Sequence, residues 1–416
     1  MKTMRPQRSR RAILISALMS ACQASSAYGD DGAPPVSISG FGTLGAVRHG
    51  SDGVEYRRDI SQPNGAKAHR WNVDVDSMLG VQATLRPISN LEATVQLVTR
   101  HAIGVGYNPQ VTWAYMKWKP REDITLRAGR LGIELYPQGD SAEIGYANLL
   151  VRQPIIVYPR TQEGFDAELT VPLGEGTARF KGMLGRTVGR LILGGSHYDT
   201  QGSRIWGTLA EYSWSGWTGR LVTGALKTRK EISGTDVDAL NAALSMAPNG
   251  TEITSVLSMQ NRRQRYTAAA LSYDSGPLLG EASMAAISSP GWSTLHNIHV
   301  LVGRRVGDFI PYAAYSRQSM GRNIITTGIP WGFSAATDAL NLASGQAQGI
   351  NKTNQSIISL GVRRDITRNT AVKFQIDRIR YQEPDAIVDP SLSAGAFEQR
   401  SHKNLHLFSA ALEFVF

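Results

Sequence analysis

The residue types that could do covalent chemistry are sparse in this chain of 416 residues, and their spacing fits no catalytic motif. Eight histidines and a single cysteine are present, and the lone Cys22 excludes both a disulfide scaffold and a cysteine-based zinc or iron–sulfur centre. His296 and His299 are three apart, on opposite faces of a strand, which suits a loop edge better than a metal site. Neither H-E-x-x-H nor G-x-S-x-G occurs. Gly40-Phe41-Gly42-Thr43-Leu44-Gly45 fits G-x-G-x-x-G, but a dinucleotide site needs a helix opening on the motif, and a polar, glycine-containing loop follows instead. In a strand such glycines serve close contact or bending. Asn249-Gly250-Thr251 and Asn351-Lys352-Thr353 match the glycosylation pattern and fall in expected loops. No cofactor is called for, and the chemistry that remains is electrostatic.

Charge is modest. Charged residues make up 19% of the chain, below the ~25% usual in soluble domains, and the net charge is +10. Lys2, Arg5, Arg8, Arg10 and Arg11 supply five of those positive charges, so 39 bases face 34 acids from residue 30 onward. The remaining excess is scattered among glycines and aromatics, which is no nucleic-acid footprint. With 42% apolar residues and charges of mixed sign, the chain is not a disordered one. Beyond the N-terminal region no apolar run reaches ~18 residues, so helical membrane spans are excluded.

A basic stretch from Met1 to Arg11, a short apolar one from Ala12 to Ala21 and then small residues form the layout of a secretory signal over residues 1–29. Cleavage after Ala27 or after Gly29 fits the small-residue rule. Ser9-Arg10-Arg11 loosely matches a twin-arginine signal, and Leu18-Met19-Ser20-Ala21-Cys22 a lipobox with Cys22 as lipid acceptor, although Met19 fits that pattern poorly. Each alternative implies export.

From Val36 to Phe416 apolar residues recur at every second position, in segments of about 8–12 residues. Leu79, Val81, Ala83 and Leu85 form one such row; Ile358, Leu360 and Val362, then Val372, Phe374 and Ile376, form others. Short turns fall near 87–90, 119–123, 172–176, 214–218, 275–279, 305–308 and 366–369. Long polar segments fall near 49–77, 101–110, 131–164, 185–203, 228–264, 288–296, 317–355 and 382–404. The spacing predicts sixteen antiparallel strands, with short helices over 236–247 and 334–343 inside two of the long loops. Short connections on one side and long ones on the other match a transmembrane barrel, whose closure removes the two unpaired edges that hydrocarbon cannot tolerate.

Soluble sandwiches and propellers also alternate, but the last strand separates the two. Phe408, Ala410, Leu412, Phe414 and Phe416 share one face and end on an aromatic, the pattern of an outer-membrane assembly signal. Trp113, Tyr115 and Trp118, then Tyr212, Trp214 and Trp217, lie near strand ends, where a barrel carries its aromatic girdles.

At this point the chain resembles a Gram-negative outer-membrane porin. The likeness rests on Ser39-Gly40-Phe41-Gly42-Thr43-Leu44-Gly45, on Asp76-Ser77-Met78-Leu79-Gly80-Val81-Gln82, on Trp113-Ala114-Tyr115-Met116 leading to Leu126-Arg127-Ala128-Gly129-Arg130-Leu131, and on the terminal Phe416. The resemblance implies an all-β barrel of about sixteen strands over residues 30–416, a diffusion channel usually found as a homotrimer. It also implies a third extracellular loop folded into the lumen as a constriction. That loop would be residues 131–164, carrying Glu134, Asp140, Glu143, Arg152 and Arg160, with Arg127 and Arg130 as basic wall residues beside it. Strict alternation cannot turn both arginines inward, so a bulge or strand end must intervene if both line the pore. Opposed charges in a narrow passage orient polar solutes and bias ion flux. Opposite the apolar face stand Arg86, Arg127, Arg179, Lys181, Arg363 and Lys373 against Glu92, Asp166, Glu168, Asp377 and Glu413. Six to five predicts at most a weak anion preference. The implied partners are small hydrophilic solutes and ions, outer-membrane lipid and lipopolysaccharide, and the barrel assembly machinery that would engage Phe416. Two other classes remain: an outer-membrane enzyme with a triad gathered from distant loops, and a periplasmic binding protein anchored through Cys22.

Overall fold

A computed structural model describes residues 35–52, 54–135, 139, 141–153, 159–193, 196–232, 234–321, 324–349, 354–381 and 404–416. The expected signal segment and Cys22 lie outside them. Sixteen antiparallel strands close into one barrel. In chain order they are β1 (Val36–His49), β2 (Met78–Ile88), β3 (Leu91–Arg100), β4 (Gln110–Arg121), β5 (Ile124–Gly132), β6 (Thr161–Leu173), β7 (Gly176–Val188) and β8 (Arg204–Trp214). The second half continues with β9 (Trp217–Lys227), β10 (Arg263–Ser275), β11 (Leu278–Ser288), β12 (Leu295–Arg304), β13 (Phe309–Met320), β14 (Gln355–Thr367), β15 (Thr370–Tyr381) and β16 (Asn404–Val415). Every expected short turn and long connection is found between these strands.

The barrel is apolar outside and polar inside, the reverse of a soluble core. Leu221, Leu360 and Phe374 expose 58–63% of their surface to the exterior, whereas inward-facing Lys373 and Glu413 expose none. Period-two alternation produces this sorting: along β16, Phe408 and Leu412 point out while Ser409, Ala411 and Glu413 are buried. Among the described residues no helix is long and apolar enough to cross a membrane; the crossing is made by strands.

Closure depends on small residues. β1 pairs with both β2 and β16, and Gly40 and Phe416 exchange backbone hydrogen bonds of 2.9 and 3.0 Å. The Phe416 ring lies where a Cβ on Gly40 would stand, and the Phe414 ring does the same over Gly42. The glycine motif at 40–45 is therefore a seam that seats the terminal aromatics.

Three long-loop features add to the barrel. A small hairpin, Glu55–Tyr56 with Ala66–Lys67, carries Val54, Tyr56 and Ala66 onto inward apolar residues Val47, Ile357, Ile379, Leu405 and Leu407. Helices α1 (Thr235–Leu244) and α3 (Ala335–Gly349) begin where the sequence places them, α3 running six residues past its expected end, and α2 (Gly250–Leu257) is additional. The two helical loops touch, Asn249 donating to the Thr326 carbonyl at 2.9 Å.

Of the aromatics, Tyr212, Trp214, Trp217 and Tyr273 form a run of neighbouring rings at the short-turn end, with centroids 4.6–6.2 Å apart. Trp113 and Tyr115 depart from the girdle expectation. They alternate with outward Met116 and face the lumen, where the Arg127 guanidinium sits 5.5 Å from the Tyr115 ring. Strand-end position does not reveal which face a residue takes.

Candidate functional site

Two sets of charges meet inside the barrel around the third loop. The first is a ladder on the wall. In an antiparallel sheet, directly opposed side chains share a face, and register aligns Glu92 with Lys117, Lys117 with Arg127, and Arg127 with Asp166. It continues with Glu168 and Lys181, Arg179 and Glu211, then Glu211 and Arg220. The contacts close at 2.5 Å for Lys117–Glu92, 2.7 Å for Arg127–Asp166, 3.0 Å for Arg179 with both Glu168 and Glu211, and 2.5 Å for Arg220–Glu211. Arg86 extends the series through Glu92 at 3.1 Å.

The root of the loop docks on this ladder. Glu134 reaches Arg127 at 3.0 Å, Arg179 at 3.3 Å, and Lys181. Burial works against its ionisation, but Lys181, Arg127 and Arg179 overcome that and hold its carboxyl down at about 2. Beside it Ile133, Leu135 and Ala142 pack on an inward apolar patch of Met183, Ile205, Leu209, Val222 and Tyr266.

The second set lies across the lumen, where the loop's short helical turn Gly145–Ala147 meets β14, β15, β16 and β1. Lys373 donates to the carbonyls of Gly145 (2.9 Å) and Asn148 (2.5 Å) and pairs with Glu413 at 2.5 Å. A Cβ on Gly145 would stand 2.5 Å from a Glu413 oxygen and 2.7 Å from the Thr43 hydroxyl, so only glycine permits this approach. Tyr146 lies under the Arg363 guanidinium and bonds the Arg368 carbonyl at 2.7 Å. Arg152 completes the anchor: it reaches Asp76 at 2.6 Å, Ser409 at 2.8 Å and Asp377 at 3.3 Å. Burial disfavours its charge, yet Asp76, Tyr56 and Asp377 raise its pKa above the ordinary arginine value.

The third loop thus crosses the lumen and is pinned on both sides. Of the residues expected there, Arg127 and Glu134 meet on the ladder, and Arg152 is the far anchor. Glu143 and Arg160 pair at 3.3 Å, joined by Arg100 at 3.5 Å from Glu143 and Asp59 at 3.3 Å from Arg160. Asp140 lies outside the described residues. Arg130 does not join them. The β5–β6 register runs without a shift from Arg127–Asp166 to Arg130–Glu163, so three steps turn Arg130 outward, where it pairs with Glu163 at 2.5 Å. No bulge intervenes to rescue it. Glu211, Arg220 and Lys117 were legible from alternation against Tyr212, Leu221 and Met116 but stood outside the expected set. Asp59, Asp76 and Arg58, whose guanidinium lies 3.5 Å from the Ala142 carbonyl of the third loop, had no such signal, because they belong to a loop without strand periodicity. Among the described residues no group of three or more His, Cys, Asp or Glu could hold a metal. His299 is buried against Ser316 at 2.9 Å, while His296 is exposed on the other face.

The chain matches no protein-family model and no curated protein by sequence. Its structure does find likenesses. An anion-selective porin from Comamonas acidovorans superposes with a TM-score of 0.52 at 14% identity, covering 92% of this chain and all of that one. The chain has the fold of the outer-membrane porins. The outer-membrane channel DcaP of Acinetobacter baumannii superposes at 0.53 with 8% identity, over 92% of this chain and 97% of DcaP. Salmonella typhi OmpF, in a complex with daunomycin, gives 0.50 at 11% over the same shares. At such identities the likeness concerns architecture: a porin barrel, here with its own set of charges around the loop.

Proposed function

We propose that the protein is a passive porin of the outer membrane, a water-filled channel for small hydrophilic solutes and ions with at most a weak anion preference. The observation that carries this is the third loop, pinned across a lumen whose wall bears charges of both signs. Around the ladder and loop root, Arg86, Lys117, Arg127, Arg179, Lys181 and Arg220 face Glu92, Glu134, Asp166, Glu168 and Glu211. That near balance supports weak selectivity. Its sign is favoured by Arg58, which is buried, forms no ion pair among the described residues and has one guanidinium bond, 3.5 Å to the Ala142 carbonyl. Burial pushes its pKa down against the opposing pull of Asp76 and Asp59, and a cation without a direct ionic partner beside the loop adds a positive field to the lumen.

Two features favour a channel over an enzyme or a soluble binding protein. No carboxylate is bonded to the His299 ring beside Ser316 among the described residues, and the apolar exterior is that of a barrel in lipid. By the resemblance, the working form is a homotrimer, residues 1–29 are removed on export, and the assembly machinery engages Phe416 along with Phe408, Leu412 and Phe414. Reconstitution into a planar bilayer tests the function. Stepwise conductance with a small anion-directed reversal potential is expected; strong cation selectivity contradicts the selectivity, and silence at every voltage and in every detergent removes the channel.

A further inference from the structure

The long-loop end carries an apolar face that permeation does not use. Helices α1 and α2 lie in the connection between β9 and β10, α3 lies in that between β13 and β14, and both α1 and α2 pack on α3. Asn249 ties the two connections together, its backbone N–H donating to the Thr327 carbonyl at 3.1 Å and its side chain to that of Thr326 at 2.9 Å. Beneath them α2 is seated on the β11–β12 connection, where the Trp292 ring N–H donates to the Val256 carbonyl at 2.8 Å. The three connections form one arch beyond the strand ends, outside the apolar band of the barrel.

In this arch α3 is turned the wrong way for a helix in water. Its polar side chains point inward: Gln348 exchanges hydrogen bonds of 2.8 and 2.9 Å with the Ile325 backbone, Asn341 donates to the Ile329 carbonyl at 3.1 Å, and Ser344 is buried. Ala335, Ala339 and Leu342, spaced to share a face, are exposed instead. Just before the helix, Trp331 and Phe333 expose 67% and 76% of their surface, and after α1 Met246 exposes 88%. A Cβ on Gly328 would meet Pro248 at 2.9 Å, so the segment after α1 lies against the one that carries the two aromatics. Large apolar side chains gathered outside lipid mark a surface that another molecule covers.

Charge narrows the choice of occupant. The first turns of the three helices carry Asp236, Asp238, Glu252 and Asp338, where the helix dipole favours acids. The same dipole favours bases in the last turns, yet none of the three helices has one there. Residues 231–261 and 324–349 contain no Lys, Arg or His at all. Arg262, which follows α2, is spent on the carbonyls of Ser255, Val256 and Ser258 and on the Trp292 ring. The arch is thus apolar and negative on a chain whose net charge is +10, and a second copy of it would meet its own sign. We propose that the arch docks a cationic amphipathic polypeptide, whose apolar side chains cover Trp331, Phe333, Leu342 and Met246 while its Lys or Arg side chains face Asp236, Asp238 and Asp338. Complementary charge steers such a partner, and the aromatics anchor it. The surface does not depend on which solutes the lumen passes.

The test uses the full-length protein in nanodiscs of zwitterionic lipid and three synthetic peptides of equal length: an amphipathic Leu/Lys helix, its Leu/Glu counterpart, and a Ser/Lys peptide with the charge but no apolar face. Above the baseline of empty nanodiscs, the Leu/Lys peptide should bind about tenfold more tightly than either of the others. Trp331→Ser with Phe333→Ser should lose about that factor while keeping the melting temperature and the single-channel conductance. Asp236→Asn, Asp238→Asn and Asp338→Asn together should remove the preference for Lys over Glu. Equal binding of the three peptides by the native protein, or unchanged binding in both variants, overturns the proposal. So does equal binding to empty nanodiscs, which would mark a lipid-surface effect. Self-association of the native protein that the Trp331→Ser, Phe333→Ser variant loses would assign the face to a second copy and also overturn it. If that variant fails to fold, Met246→Ser with Leu342→Ser carries the same comparison.

Discussion

The third loop is held by two kinds of electrostatics. On the β3–β9 side the charges form a ladder of shared partners, partly exposed along most of its length, in which most ions contact two or three others while Lys117 and Arg86 pair with Glu92 alone. On the β14–β16 side the pairs are dry: Lys373 and Glu413 are sealed from solvent, and Arg152 with Asp76 nearly so. A wetter, redundant network loses little with any one member and still shapes the electrostatic field of the lumen. A dry pair contributes little net stability as a pair, yet removing one partner strands a buried charge. The far anchor is thus the fixed point of the loop, and under the proposed channel function the ladder is where selectivity is set.

The largest expected effect breaks the dry side. Arg152→Ala leaves Asp76 and Asp377 uncompensated and should cost about 3–5 kcal/mol, seen as a lower unfolding temperature in detergent with larger, noisier single-channel currents. Gly145→Val comes next. Its side chain must displace Glu413 or the loop, at a cost of about 1–3 kcal/mol, and conductance should rise as the turn leaves the wall. Unchanged currents in both variants would mean that these contacts do not hold the loop.

On the wet side, Lys117→Gln with Arg220→Gln should alter stability by about 1 kcal/mol or less while moving the reversal potential toward cations. A shift of the opposite sign would remove the ladder from the ion path. Glu134, where the loop root joins the ladder, gives a pH signature. Its folded pKa of about 2 lies below the ordinary value of 4.5, so its stabilisation is complete above 4.5 and is lost as pH falls toward 2. Glu134→Gln should flatten the decline in melting temperature across that window; parallel curves for the variant and the native protein would break the pairing. The smallest effect belongs to the ladder's exposed end, where Arg86→Ala should change stability by well under 1 kcal/mol.

Much of the barrel was legible because a strand's two faces are separated by a single step. Phe408, Leu412 and Phe416 against Ser409 and Glu413 need no tertiary information to sort. The same rule disqualified Arg130, three steps from Arg127, once the register proved to have no bulge between them. Aromatic type without parity misled at Trp113 and Tyr115. Loops escape the rule: nothing in the spacing of Arg58, Asp59 or Asp76 announces that they meet the third loop, and Arg152 could be named as a loop charge but not as the anchor on Asp76 and Asp377.

Alternation, turn chemistry and a terminal aromatic are local properties, repeated along the chain, and the sequence by itself determined from them a closed barrel with its wet and lipid faces. Which charges meet was decided only when the strands were rolled up. Closure brings residues more than 200 positions apart, such as Arg152 and Asp377, within bonding distance. Coulombic and hydrogen-bond energies depend on separations of a few ångströms that no one-dimensional spacing contains.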